Sequence, residues 1–249
     1  MSDSNGPNSI YINESFGKAL MRTFQRDTRT RIAKSRELLR GLRLRRTITA
    51  NTPKGQRRLF ETVAKILDPV SYGKVLFEGQ RGAFVFGYYD CDESVISGRT
   101  ETTLTAQNWS YPLGKRGATQ ALDRPNGARF GMHCIARVFQ RTNTIYDKEA
   151  REELDVAARF AASYWVLAND ASFNPSVLVP SPGGAFLGSI SPCRLYVDLR
   201  TFVARRQLSN KQELIWSELR AIHRDPLAYG WEITPEFTSK LRDVLSKYH

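Results

Sequence analysis

The chain has 249 residues and a net charge of +12, and 41% of its residues are hydrophobic, which is enough for a substantial core. A transmembrane helix and a secretory signal are not expected, because no apolar run approaches about 18 residues and the first residues are polar. The cysteines are odd in number, widely spaced and without a Cys-x-x-Cys motif: Cys91, Cys134 and Cys193. This pattern favours free thiols in a reducing, intracellular compartment.

The positive charge is concentrated near the N-terminus. Residues 1–58 contain 14 of the 37 Lys and Arg residues but 4 of the 25 Asp and Glu residues, so they carry +10 of the net +12. The remainder of the chain is nearly neutral. Segregated charge of this kind indicates a local anionic partner more strongly than an evenly basic composition does.

After a flexible tail at residues 1–12, the spacing predicts one basic amphipathic helical arm over 13–46. At about 100° per residue, its cations form a stripe roughly 100° wide. The stripe comprises Lys18, Arg22, Arg26, Arg29, Arg36, Arg40 and Arg43. The predicted apolar face contains Phe16, Leu20, Phe24, Leu38, Leu39 and Leu42.

Residues 47–55 contain Pro53 and Gly55 and are predicted to be a linker, followed by a single body over 56–249. The body begins with a helix over 56–67. Runs rich in β-branched and aromatic residues then predict strands at 74–77, 83–89 and 100–106, a long loop at 107–127 and a strand at 128–140.

Apolar and small residues at three- and four-residue steps predict a core helix over 147–168. Further strands are expected at 176–179, 185–190 and 194–204. Two C-terminal helices follow, one capped by Ser209 with Gln212 and one by Thr234 with Pro235. The predicted fold is α+β: a mostly antiparallel, β-rich centre with one packed core helix, a basic helical arm and two C-terminal helices.

Familiar catalytic and nucleotide-binding motifs are absent from the sequence, and we expect no cofactor and no metal site. His133 and Cys134 are adjacent in a predicted strand and should point to opposite faces. The carboxylates of Asp90, Asp92 and Glu93 are interpreted as a solvated turn. The alternative, a nuclease that uses these three acids, is the main enzymatic hypothesis.

The predicted loop at 107–127 places two aromatic residues beside two cations: Trp109, Tyr111, Lys115 and Arg116. Aromatic stacking combined with positive charge is the usual way to hold single-stranded nucleic acid without reading its sequence. The alternative is that the two aromatic side chains attach the loop to the core.

The arrangement of a polar tip, a basic arm and a neutral β-containing body resembles the structural proteins of RNA viruses, namely capsid, nucleocapsid and matrix proteins. Two strings, Ala83 to Ile96 and Asp155 to Trp165, resemble segments of cypovirus polyhedrins, where they lie much farther apart along the chain. We do not assign the chain to that family. The likeness to capsid, nucleocapsid and matrix proteins implies self-association through the body and contact with the genome or a membrane through the arm.

The leading hypothesis is a non-enzymatic structural or packaging protein, of viral type, that self-associates and binds nucleic acid, RNA above all, through the arm. In a second hypothesis the arm is a membrane-surface element, as in matrix proteins, with Phe16, Leu20 and Phe24 entering the lipid interface. In a third, the arm is an assembly device whose apolar face contacts a neighbouring subunit through Phe16, Leu20, Phe24, Leu38 and Leu42.

Overall fold

The protein has a mixed α+β fold, as the sequence predicts. The structure is a computed structural model, and it describes residues 12–45, 53–77, 83–96, 99–112, 122–124, 127–168, 176–193, 196–222 and 235–247. The helices are α1 (Glu14–Arg45), α2 (Pro53–Leu67), α3 (Met132–Thr142), α4 (Asp147–Ala168), α5 (Asn210–Ile222) and α6 (Pro235–Ser246). The strands are β1 (Ser71–Phe77), β2 (Ala83–Ile96), β3 (Arg99–Pro112), β4 (Leu122–Arg124), β5 (Gly127–Gly131), β6 (Ser176–Ser181), β7 (Gly184–Ile190) and β8 (Tyr196–Ala204).

The strands form one sheet in the order β1-β2-β3-β5-β8-β7-β6, and β4 pairs with β3. Its neighbouring strands are antiparallel except for β5 and β8, which are parallel. The sheet curls so far that α4 contacts both of its outer strands, β1 and β6, as well as the central β5. The predominance of antiparallel pairing agrees with the prediction.

Helix α4 occupies the concave side of the curled sheet. Its range matches the predicted helix, and the residues that face the sheet are buried: Ala150, Leu154, Ala157, Ala158, Ala161 and Tyr164. The small residues let the strands approach the helix closely, while the Tyr164 hydroxyl donates a hydrogen bond to the carbonyl of Leu178 on β6. Polar contacts also fix the helix, because the Glu153 carboxylate accepts the backbone N–H of Gly183 at 2.8 Å.

Asp155 on the same helix should make the free energy of unfolding depend on pH. Burial raises the pKa of this carboxyl to about 6, although the Tyr89 hydroxyl donates to it at 2.7 Å and Arg151 lies nearby. An unfolded Asp titrates near about 3.9, so the folded state binds more protons between about pH 4 and pH 6. Stability therefore falls as the pH rises through that window, by about 2 to 3 kcal/mol in total.

Urea unfolding of the wild type and of Asp155→Asn at pH 4 and pH 7 tests this expectation. The variant keeps an acceptor for Tyr89 and cannot ionise, so its stability relative to the wild type should increase from pH 4 to pH 7. The same substitution at exposed Asp243 controls for the loss of one negative charge. A difference between Asp155→Asn and wild type that is the same at both pH values would contradict the expectation.

Helix α1 packs on the body along a face that includes Gly17, Met21, Phe24, Ile32 and Ser35. Gly17 permits close approach to α3, since a Cβ at that position would lie 3.1 Å from the carbonyl oxygen of Ala136. The Phe24 and Phe139 rings meet edge to face with centroids 5.9 Å apart. The predicted arm is thus a helix docked on the core.

The junction between α1 and the body differs from the predicted linker. Helix α2 begins at Pro53, inside the stretch assigned to the linker, because proline is well suited to a first helical position. The Ser35 hydroxyl on α1 donates to the carbonyl of Ile66 on α2 at 2.9 Å, so the two helices contact each other directly.

The predicted strand at 128–140 is wrong beyond its first residues. Strand β5 ends at Gly131, and α3 begins at Met132 without an intervening loop. The predicted loop at 107–127 is also wrong in part, since β3 continues through Pro112 and β4 lies at 122–124. The three strands predicted at 176–204 and both C-terminal helices are confirmed, including the reciprocal cap between Ser209 and Gln212.

Candidate polyanion interface

The cationic stripe of α1 lies on the surface of the protein. Its six described side chains are all exposed: Lys18, Arg22, Arg26, Arg29, Arg36 and Arg40. The side chain of Arg43, the seventh predicted member, lies outside the described residues. At about 100° per residue, the stripe lies beside the buried face of α1 and so runs along the line where the helix meets the body.

Several cations of the stripe have partners in the same chain. The closest pairs are Lys18 with Glu14, at 2.8 Å, and Arg36 with Asp90 on β2, while Arg29 donates to the Thr102 hydroxyl at 3.3 Å. Arg26 lies 3.5 Å from Asp27. Acids of the same chain therefore neutralise part of the stripe.

These internal pairs leave most of the positive charge accessible. Exposed ion pairs contribute roughly 0 to 1 kcal/mol, so a phosphate can displace a partner such as Glu14 at little cost. In the described part of the chain, Arg22 and Arg40 have neither a salt bridge nor a side-chain hydrogen bond. Arg36 is the most firmly held, because its partner Asp90 is buried.

A second row of basic side chains lies on α3, which packs against α1. The row consists of His133, Arg137 and Arg141, at intervals of four residues. Arg137 Nε donates to His133 Nε2 at 3.4 Å, and Arg141 donates to the carbonyl of Phe202. The row was not predicted from the sequence, because His133 and Arg137 fall within the strand predicted at 128–140. Their four-residue spacing is the signal that could have revealed it.

The electrostatics of His133 show that α1 and α3 share a positive surface. Partial burial lowers the pKa of His133, and the guanidinium of Arg137 lowers it further, as do Lys18 on α1 and Arg141. Glu14 opposes this effect. In turn, Lys18 and Arg137 lower the pKa of Glu14. Partial burial first, and then the neighbouring cations of both helices, therefore disfavour protonation of the imidazole.

The aromatic residues of the predicted loop lie on a strand. In β3, Trp109 is paired with Phe86 of β2 and with Asp123 of β4, and Tyr111 is paired with Phe84. The loop interpretation is thus wrong for these two residues, because their backbone completes a long hairpin. Lys115 and Arg116, together with the aromatic side chains, lie outside the described residues.

The three acids of the nuclease hypothesis do not converge. On β2, Asp90 and Asp92 lie on one face of the strand and Glu93 lies on the other. Burial raises the pKa of Asp92, and neighbouring Asp90 raises it further. Across the described ranges, no group of three His, Cys, Asp or Glu residues is arranged to hold a metal ion.

A row of polar residues crosses five strands at the middle of the sheet. Asp90, Thr105, Arg129, Asp198 and Ser189 lie directly opposite one another on successive strands and therefore share one face. We call this set the polar row. Three of its members, Asp90, Thr105 and Asp198, are buried, so the row is a structural element of the sheet.

An ion pair forms the centre of the polar row. Arg129 Nε and Asp198 Oδ1 lie 2.9 Å apart, outside hydrogen-bond alignment, with side chains 13% and 5% exposed. The Arg129 guanidinium also lies 4.3 Å from the centre of the Tyr196 ring. Burial raises the pKa of Asp198, while Arg129 and Arg200 oppose that shift.

The apolar face predicted for α1 is divided between the core and the surface. Phe24 is buried and Leu20 is partly buried against the core, whereas Phe16 and Leu38 are 42% and 49% exposed. The side chain of Leu42 lies outside the described residues. Phe24 is therefore committed to the protein's own core and is not presented to lipid or to a second subunit.

The three cysteines are free thiols in different environments. Cys134 is buried, Cys91 is half-buried and Cys193 is exposed. Burial raises the pKa of the Cys134 thiol and, to a lesser degree, that of Cys91, so both are poor nucleophiles.

None of the described helices is both long enough and apolar enough to cross a lipid bilayer. A search of family models, of curated proteins and of solved structures found no match to this chain.

Proposed function

We propose that the protein is a non-enzymatic nucleic-acid-binding protein, of the structural or packaging type that RNA viruses encode, and that α1 contacts the phosphates. The observation that carries the proposal is the row of exposed cations along one continuous helix. From Lys18 to Arg40 the stripe spans about 33 Å, at about 1.5 Å per residue. That length suits a run of consecutive phosphates on RNA, the favoured ligand.

Nucleic acid is favoured over a membrane surface by the burial of part of the α1 apolar face. Insertion into lipid requires a continuous apolar face, and here Phe24 packs on Phe139 in the core. The contacts left to the helix are mainly electrostatic. Flotation with vesicles that contain anionic lipid tests the membrane alternative, since binding that RNA cannot displace would favour it.

Self-association is the second part of the proposal. Phe16 and Leu38 are the exposed large apolar side chains of α1 in the described structure, and they suit a small contact with another copy. Light scattering that gives a monomer mass at all concentrations, with and without RNA, would oppose this part.

The salt dependence of RNA binding provides the central test. Fluorescence anisotropy with a labelled oligouridylate of about 20 nucleotides should give a log–log salt slope near −5 for about seven phosphate contacts. Replacing Arg22, Arg26 and Arg40 by glutamine should make the slope shallower by about 2 to 3, at about 0.7 to 0.9 per lost contact.

The control removes the same charge from another surface. Arg206, Lys211 and Arg242 are exposed and lie outside α1 and α3, so their replacement by glutamine should leave the slope near the wild-type value. Equal slopes for the two triple variants, or wild-type affinity that is unaffected by salt, would refute the proposal.

A further inference from the structure

Helix α3 extends the basic surface of α1 around a histidine. His133 is exposed and is surrounded by Arg137 and Arg141 on its own helix and by Lys18 on α1, with Glu14 as the one nearby acid on those helices among the described residues. Glu101 of β3 lies at the start of α3, where a Cβ on Gly131 would be 2.9 Å from its Oε1. His133 is therefore an imidazole in a predominantly cationic setting.

The contact between Arg137 and His133 fits a neutral imidazole in the free protein. Arg137 Nε lies 3.4 Å from His133 Nε2 in a donor geometry, and a lone pair on that nitrogen, which only the neutral ring can offer there, would accept the bond. If the ring took up a second proton, at Nε2, this N–H would face the N–H of Arg137. The protonated imidazole would also be a cation beside three others. A bound polyanion reverses this balance, because its oxygens accept hydrogen bonds from both side chains and neutralise the surrounding cations.

We propose that α3 is a second contact element for the polyanion and that His133 takes up a proton when the polyanion binds. The inference rests on the proposed function of α1 and adds to it a second surface and a regulation by pH. By linkage, a ligand that binds the protonated form better must bind more tightly as the pH falls. The protein should therefore hold RNA firmly in mildly acidic solution and release it more readily in alkaline solution.

Binding measurements between pH 5 and pH 8 test the inference, since an unperturbed histidine changes charge in that range. Oligouridylate affinity at constant ionic strength should increase about tenfold from pH 8 to pH 5 for each unit by which binding raises the pKa of His133. The His133→Gln variant should bind as the wild type does at pH 8 but should lose this increase. The double variant of the other two histidines, His223→Gln with His249→Gln, should keep it.

A second measurement follows the imidazole directly. The NMR titration of the His133 Cε1 proton should give a higher pKa with saturating oligouridylate than without it, and Arg137→Gln should raise the pKa of the free protein. If RNA affinity increases from pH 8 to pH 5 by the same factor in the wild type and in His133→Gln, the inference is overturned while the α1 proposal stays intact. Absence of RNA binding at every pH would overturn both.

Discussion

Replacing Phe24 by alanine should lower the free energy of unfolding by about 3 to 5 kcal/mol. The side chain is 6% exposed, and its ring meets Phe139 edge to face at the contact between α1 and α3. The substitution removes the buried ring and leaves a cavity between α1 and α3, so it should also weaken the docking of α1. Chemical denaturation gives the free energy, and hydrogen exchange should show reduced protection in α1.

The matched control lies two turns earlier on the same helix. Phe16 is 42% exposed, and its replacement by alanine should change stability by no more than about 0.5 kcal/mol. The two variants lose the same side chain from the same helix, so they separate burial from helix propensity. Similar losses for both would mean that α1 is not docked through Phe24.

Replacing Asp198 by alanine should also be severe, with a loss of about 3 to 5 kcal/mol in the free energy of unfolding. The substitution leaves the guanidinium of Arg129 in the middle of the sheet, 13% exposed, without its carboxylate. The cost comes from the unpaired buried charge rather than from the intrinsic strength of the pair. Thermal and urea unfolding at neutral pH measure it.

Two variants test that explanation. Replacing both partners with apolar residues, as in Arg129→Met with Asp198→Leu, should restore much of the lost stability because neither charge of this pair is then left buried without its partner. Arg200→Ala, two residues away on the same strand, removes an exposed cation that donates to the Ser189 hydroxyl at 2.9 Å, and should cost little. A double variant as unstable as Asp198→Ala would argue against an unpaired charge as the cause.

The elements that the sequence predicts best are those in which local and long-range preferences agree. For α4, the three- and four-residue apolar pattern coincides with a real contact on the sheet over the whole predicted range. The start of α6 at Pro235 and the Ser209 cap are governed by neighbouring residues, so they could be read directly from the chain.

The failure at α3 has a specific cause. Phe130, Met132, Cys134, Ala136 and Val138 alternate as in a strand, but the same stretch also contains a helical apolar pattern. The local sequence therefore fits both the alternation of a strand and the apolar spacing of a helix. The helix forms because its buried side, including Cys134, Val138 and Phe139, packs against the core that α1 and the sheet provide.

The candidate interface was predictable only in part. Helix α1 and its exposed cations followed from spacing, whereas its buried face did not, because Gly17 and Ser35 contribute to it and neither is apolar in the usual sense. The basic row on α3 depended on knowing that this segment is helical. The pairing of Arg36 with Asp90 joins residues 54 positions apart and has no local signal.

The single parallel contact in the sheet has a consequence for the order of folding. Strands β1 to β5 form one set of antiparallel neighbours and β6 to β8 form another, and each can assemble from segments close in the chain. The two sets are joined where β5 pairs with β8, between residues about 70 positions apart. Among the described strand pairings, this one closes the longest segment and so costs the most chain entropy, and we expect it to be the last strand pairing to form.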